Sequence, residues 1–160
     1  MEKKEKRNFI FILQIINDVT KKNLAKLFIE EWNKTGYREW DNTVTSGKKL
    51  YNLEKTRSRP INKIIQKNFL NGNTNNWDCT TLFHAILYSN SISRNLDPTI
   101  KNAVDELRWV RNEIAHDGKN STLSDGEFEK LVGIVETSFN ILKFPLDEID
   151  CIKSERNSFD

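Results

Sequence analysis

The sequence predicts an all-α protein. The apolar residues gather in segments longer than a typical strand, and only 6 Gly and 3 Pro interrupt 160 residues. Helix start and stop signals bracket several of these segments. A chain of this length can bury most of its apolar surface in one domain without covalent staples. Residues 1–145 read as a single helical domain, and 146–160 as an acidic, loosely attached C-terminal tail.

The first helix is expected from about Phe9 to Asn33, with Ile12, Ile15, Ile16, Val19, Leu24, Leu27 and Phe28 inward, a break around Asp18–Thr20 and an end near Gly36. Lys3, Lys4, Lys6 and Arg7 before Phe9–Leu13 resemble a signal peptide. However, Gln14 interrupts the apolar run, no small-residue cleavage site follows, and the run is too short to span a membrane. A buried helix face is the better reading. Residues 37–59 are polar and basic around Tyr37, Trp40 and Tyr51, and read as a long connection, functional or partly structured.

Pro60 is placed for the first turn of a short helix through Leu70, with Ile61, Ile64, Ile65 and Phe69 inward and Asn71-Gly72 as the stop. A third helix begins near Trp77-Asp78. It is apolar nearly all round, so it is expected to be the most buried, with His84 as a core histidine. Asp97-Pro98 opens a fourth helix that ends at Asp117-Gly118. A fifth starts at the capping box Ser124–Glu127, with Leu123 and Phe128 as its hydrophobic staple; Phe128, Leu131, Val132, Val135, Phe139 and Leu142 form its buried stripe before Pro145.

Charge is unevenly spread. Residues 1–70 hold 16 Lys/Arg and 8 Asp/Glu, and residues 71–160 hold 9 and 15. Lys48, Lys49, Lys55, Arg57, Arg59, Lys63 and Lys67 face only Glu54. That patch is either a solvated surface or an attractor of phosphates, with Lys48, Lys49, Arg57 and Arg59 the candidate RNA contacts. Cys79 and Cys151 are far apart, and with two separated histidines they offer no metal-ligand cluster, no disulfide framework and no reason to leave the cytosol. No phosphate-binding Gly-rich loop is present, so no metal or cofactor is expected.

The fourth helix carries the anomaly. On a wheel of about 100° per residue, Ile100, Ala103, Val104, Leu107, Val110 and Ile114 share one arc, and Arg111 falls in its middle. A guanidinium there is costly unless it is paired or opens onto a cleft. Asp105, Trp109, Asn112 and His116 form a second stripe, a candidate dimer interface through Asp105 and Trp109. Ordinary readings compete: Arg111 snorkelling or pairing with Asp105 or Glu106, His116 favoured by the helix dipole, Trp109 completing the core.

Arg111-Asn112-Glu113-Ile114-Ala115-His116 matches the R-x-x-x-x-H motif of the HEPN superfamily. Trp77-Asp78-Cys79-Thr80-Thr81-Leu82-Phe83, Leu107-Arg108, and Leu123-Ser124-Asp125 through Phe128 also resemble HEPN domains like that of the DAZ-interacting E3 ubiquitin ligase. The resemblance runs from about residue 24 to 142. It implies an up-and-down bundle of four to five helices that homodimerises, so that two motifs line one cleft. Many such domains are metal-independent endoribonucleases; others only bind RNA or pair. In animal proteins they often accompany innate-immune or ubiquitin-ligase modules, and none of those is present in this chain.

The chemistry fits the residues. RNA cleavage without a metal needs a base for the 2′-OH, an acid for the 5′-oxygen and positive charge at phosphorus. Histidine suits both proton transfers and arginine grips phosphate. Arg111, His116 and, in an orienting role, Asn112 are therefore the candidate catalytic group. With His84 in the core, each chain supplies one such histidine, and two copies are needed for acid and base.

Overall fold

The computed structural model describes residues 2–56, 61–117 and 120–159. All regular structure among them is helical, as expected. No helix among them is long and apolar enough to cross a membrane. The helices are α1 (Glu2–Gln14), α2 (Lys21–Asn33), α3 (Val44–Glu54), α4 (Lys63–Asn71), α5 (Cys79–Leu87), α6 (Pro98–Asp117), α7 (Asp125–Leu142) and α8 (Asp147–Asn157). The chain forms two compact units, residues 1–20 with 102–160, and residues 21–101.

In the first unit, α1 begins at Glu2, seven residues before the expected start. Lys4 is held in an ion pair with Asp125 at 3.1 Å. The expected break is a π-helical segment, Ile15–Thr20, in which the Thr20 hydroxyl donates to the Ile15 carbonyl at 2.9 Å. The wider turn keeps Ile15, Ile16, Val19 and Thr20 all buried, so the chain re-registers without interruption. Asp97 starts α6 as foreseen, its carboxylate accepting the Thr99 N–H at 2.8 Å. Ser124 caps α7 by accepting the Glu127 N–H at 3.2 Å, with Leu123 and Phe128 both buried.

The C-terminal segment is not loosely attached. It forms α8, which buries Ile149, Ile152 and Arg156 and packs on α1 and the π segment. Arg156 is only 7% exposed. Its guanidinium donates to Asn8 at 2.7 Å, Asp125 at 2.8 Å and Glu129 at 3.2 Å, and lies 4.3 Å from the Phe128 ring centre. Buried Asn8 completes the knot by donating to the Leu123 carbonyl at 3.0 Å and to Asp125 at 2.8 Å. The Asn8 amide, Lys4 and Arg156 together hold the Asp125 carboxyl below its ordinary range.

The second unit is built on aromatic rings. Phe28 lies 4.9 Å from Trp40 and 5.2 Å from Trp77, while Trp32 lies 5.0 Å from Trp40 and Phe69 lies 5.5 Å from Trp77. Each buried indole N–H has an acceptor: Trp32 the Arg38 carbonyl, Trp40 the Asn42 side chain and Trp77 the Asn68 carbonyl. His84 is half-buried, not fully in the core, with its ring tilted against buried Phe69 at 6.0 Å and exposed Tyr88 at 5.9 Å.

The expected long connection contains α3. Thr43 caps it, and Asp41 accepts from the Thr43 and Ser46 hydroxyls at 2.6 and 2.7 Å, which holds the Asp41 carboxyl down at about 2. A side chain at Gly47 would fall 2.3 Å from the Phe69 carbonyl, so glycine is what lets α3 and α4 meet backbone to backbone. Helix α4 starts after Asn62, whose side chain accepts the Ile65 N–H; Pro60, expected at the first turn, lies outside the described residues. Ile64 points outward, at 66% exposure, where an inward position was expected. Buried Glu54, the one acid in the basic segment, accepts the Asn90 N–H with both oxygens at 3.0 and 2.8 Å.

Candidate functional site

Helix α6 sorts its residues as the wheel foretells. Ala103, Val104, Leu107, Val110 and Ile114 are buried and Ile100 is half-buried. Asp105, Trp109, Asn112 and His116 are all exposed, with Trp109 at 41%. The core-completing reading of Trp109 therefore gives way to an exposed indole on a polar stripe. Asp105 pairs with Arg108 at 3.0 Å, a local i,i+3 bridge worth little in water.

Arg111 is half-buried, and its Nε donates to Asn112 Oδ1 at 3.1 Å. It sits at a trough between two helices, lined by Phe9, Leu13, Ile16 and Asn17 on one wall and Arg111, Ile114 and Ala115 on the other, with a volume of about 310 Å³. Each wall is a helical stripe, spaced i, i+4, i+7 along the first and i, i+3, i+4 along the second. Phe9 and Leu13, expected to be buried, are half-buried because they face this opening. The arginine on the core arc thus stands where the arc opens onto a cleft.

His116 is exposed in the last turn of α6. It lies five positions after Arg111, which sets the two side chains about 140° apart around the axis. A single copy therefore aims its arginine and histidine at different sides, and the Arg111–Asn112 hydrogen bond spans part of that gap.

The basic candidates fall elsewhere. Lys48 and Lys49 are exposed on α3 in the second unit, with the Lys49 ammonium 5.3 Å from the Tyr37 ring centre. Arg57 and Arg59 lie outside the described residues. Sequence reasoning did not place Phe9, Leu13 and Asn17 beside Arg111; the available signal was the i, i+4 spacing of Phe9 and Leu13 on a helix already read as amphipathic. Among the described residues, no group of three or more His, Cys, Asp or Glu is arranged to hold a metal ion. No family model matches the chain, and no curated protein or solved structure is significantly similar to it.

Proposed function

We propose that the chain is an RNA-cleaving module of HEPN type, an up-and-down helical bundle that acts as a homodimer without metal or cofactor. The observation that carries the reading is the end of α6. There Trp109, Asn112 and His116 share one exposed stripe, and Arg111, bonded to Asn112 but on another side of the helix, opens onto a trough. An indole left in water on an otherwise polar stripe is the residue type that anchors interfaces.

In the dimer, one His116 takes the proton of the ribose 2′-OH as its oxygen bonds to phosphorus. The second His116 gives a proton to the 5′-oxygen as its bond to phosphorus breaks. Arg111 stabilises the charge on the phosphoryl oxygens, and Asn112 positions Arg111 through their hydrogen bond. Because Arg111 and His116 diverge on one helix, the arginine of one copy works with the histidine of the other. Lys48 and Lys49 draw RNA electrostatically, which makes binding salt-sensitive.

A second reading, a homodimerisation module that cuts nothing, rests on the same exposed Trp109, which supports pairing irrespective of chemistry. Cleavage of structured RNAs in EDTA by the wild-type dimer, abolished in a His116→Ala variant that still dimerises, is the expected result. A wild-type dimer that leaves RNA intact sinks the nuclease and leaves the pairing module.

A further inference from the structure

We infer that the trough beside Arg111 holds one unpaired nucleobase of the RNA, adjacent to the phosphate that Arg111 grips. This rests on the RNA reading above and narrows it to single-stranded or bulged substrates.

The trough is amphipathic in the way that a nucleotide is. Buried Ile16 and Ile114 give it an apolar floor, and the half-buried Phe9 ring and Leu13 supply a wall against which a flat heterocycle can lie. Arg111 contributes a planar cation at the same opening, and exposed Asn17 contributes an amide able to donate and accept at a base edge. Its volume of about 310 Å³ stands at the lower end of small-ligand clefts, which begin at roughly 300 Å³ and therefore suit one nucleotide better than a duplex.

Asn17 and Ile16 belong to the π-helical segment. A π turn is uncommon and is frequently found at functional sites. Asn17, four residues after Leu13, follows it on the same face and puts an amide at the trough, while Val19 and Thr20 stay buried. An aliphatic guest would gain from the floor alone and make no use of Asn17 or of the guanidinium. A bare anion would make no use of Phe9. A nucleotide uses all three, with a base that has to be unstacked from its neighbours to enter, as sequence-tolerant aromatic stacking in single-strand binders requires.

The test is titration of the whole chain with adenosine and uridine 5′-monophosphates, inorganic phosphate and octanoate, read from the methyl resonances of Leu13, Ile16, Ile114 and Ala115. The mononucleotides are expected to shift these signals, and phosphate to bind about tenfold or more weakly because it lacks the stacked base. Phe9→Ala should weaken the mononucleotides by about tenfold, while Phe9→Trp keeps binding. Arg111→Ala should abolish it, and His116→Ala should leave it intact. Equal binding of phosphate and nucleotide, preference for octanoate, or nucleotide shifts confined to other residues would overturn the inference. If mononucleotides bind but no RNA is cut, the nuclease falls and the base site stands. If RNA is cut but Phe9→Ala changes neither binding nor cleavage, the base site falls and the nuclease stands.

Discussion

The two units are both helical, yet they solve the problem of a core in opposite ways. Residues 21–101 carry 14 Lys/Arg against 7 Asp/Glu, whereas the rest of the chain carries 11 against 16. The basic unit is centred on a cluster of four rings, Phe28, Trp32, Trp40 and Trp77, in which Phe28 and Trp40 each touch the other three. The acidic unit relies on aliphatic side chains such as Ile12, Ile15, Val104, Leu107, Val132 and Val135, and closes its C-terminal helix with the Arg156 knot. Large rings supply enough buried area that a polar helix, α3, can be held by Leu50, the Gly47 contact and buried Glu54 on the Asn90 N–H. Where the last helix is acidic and weakly apolar, a guanidinium with several partners does part of the fastening, and every partner must be in place for its burial to be tolerated.

The comparison can be broken first in the aromatic unit. Trp77 is fully buried, and Trp77→Ala removes ring contacts to Phe28, Trp40 and Phe69 together with the hydrogen bond to Asn68. It should cost about 4 kcal/mol in urea unfolding. A loss of less than about 1 kcal/mol, in the range of ordinary surface changes, would mean that the rings are not what holds this unit.

Arg156→Ala probes the other unit and should cost about 2 kcal/mol. The loss is smaller because Asp125 and Glu129, with side chains 52% and 60% exposed, can rehydrate; buried Asn8 cannot, and its carbonyl loses a donor. The same urea measurement checks it, and amide exchange in α8 should rise more than in α4.

The smallest effect is the acid response. The folded Asp41 and Asp125 carboxyls both sit below the ordinary value of 3.8, so each contributes stability that is complete above that pH and fades as pH falls through the folded value. Carbon chemical shifts should place the Asp41 midpoint at about 2 and the Asp125 midpoint below 3.8. In Arg156→Ala the Asp125 midpoint should remain lowered, since Asn8 is its largest cause and Lys4 persists. A return to 3.8 in that variant would show that the guanidinium dominates.

Much of this architecture is legible in the residues. Asp97, Asp78 and Ser124 mark helix starts through short-range hydrogen bonds that depend only on neighbours in the chain. Asn71-Gly72 ends α4 because Gly72 takes the left-handed conformation, φ 74°. The face pattern of α6, with Arg111 in the apolar arc and Trp109, Asn112 and His116 opposite, follows from helical periodicity alone.

What escaped was decided by contacts distant in sequence. Helix α3 shows no apolar stripe because it packs through Gly47 against backbone carbonyls more than twenty residues away. Helix α8 looks like a solvated tail until Asn8 and Asp125, on remote segments, converge on Arg156. The trough is of the same kind: Phe9, Leu13 and Asn17 acquire meaning only when packing sets them against Arg111, some hundred residues later. Periodicity and capping are local energies and can be read along one strand of text. Which helix faces which, and what lies between them, is a property of the assembled core.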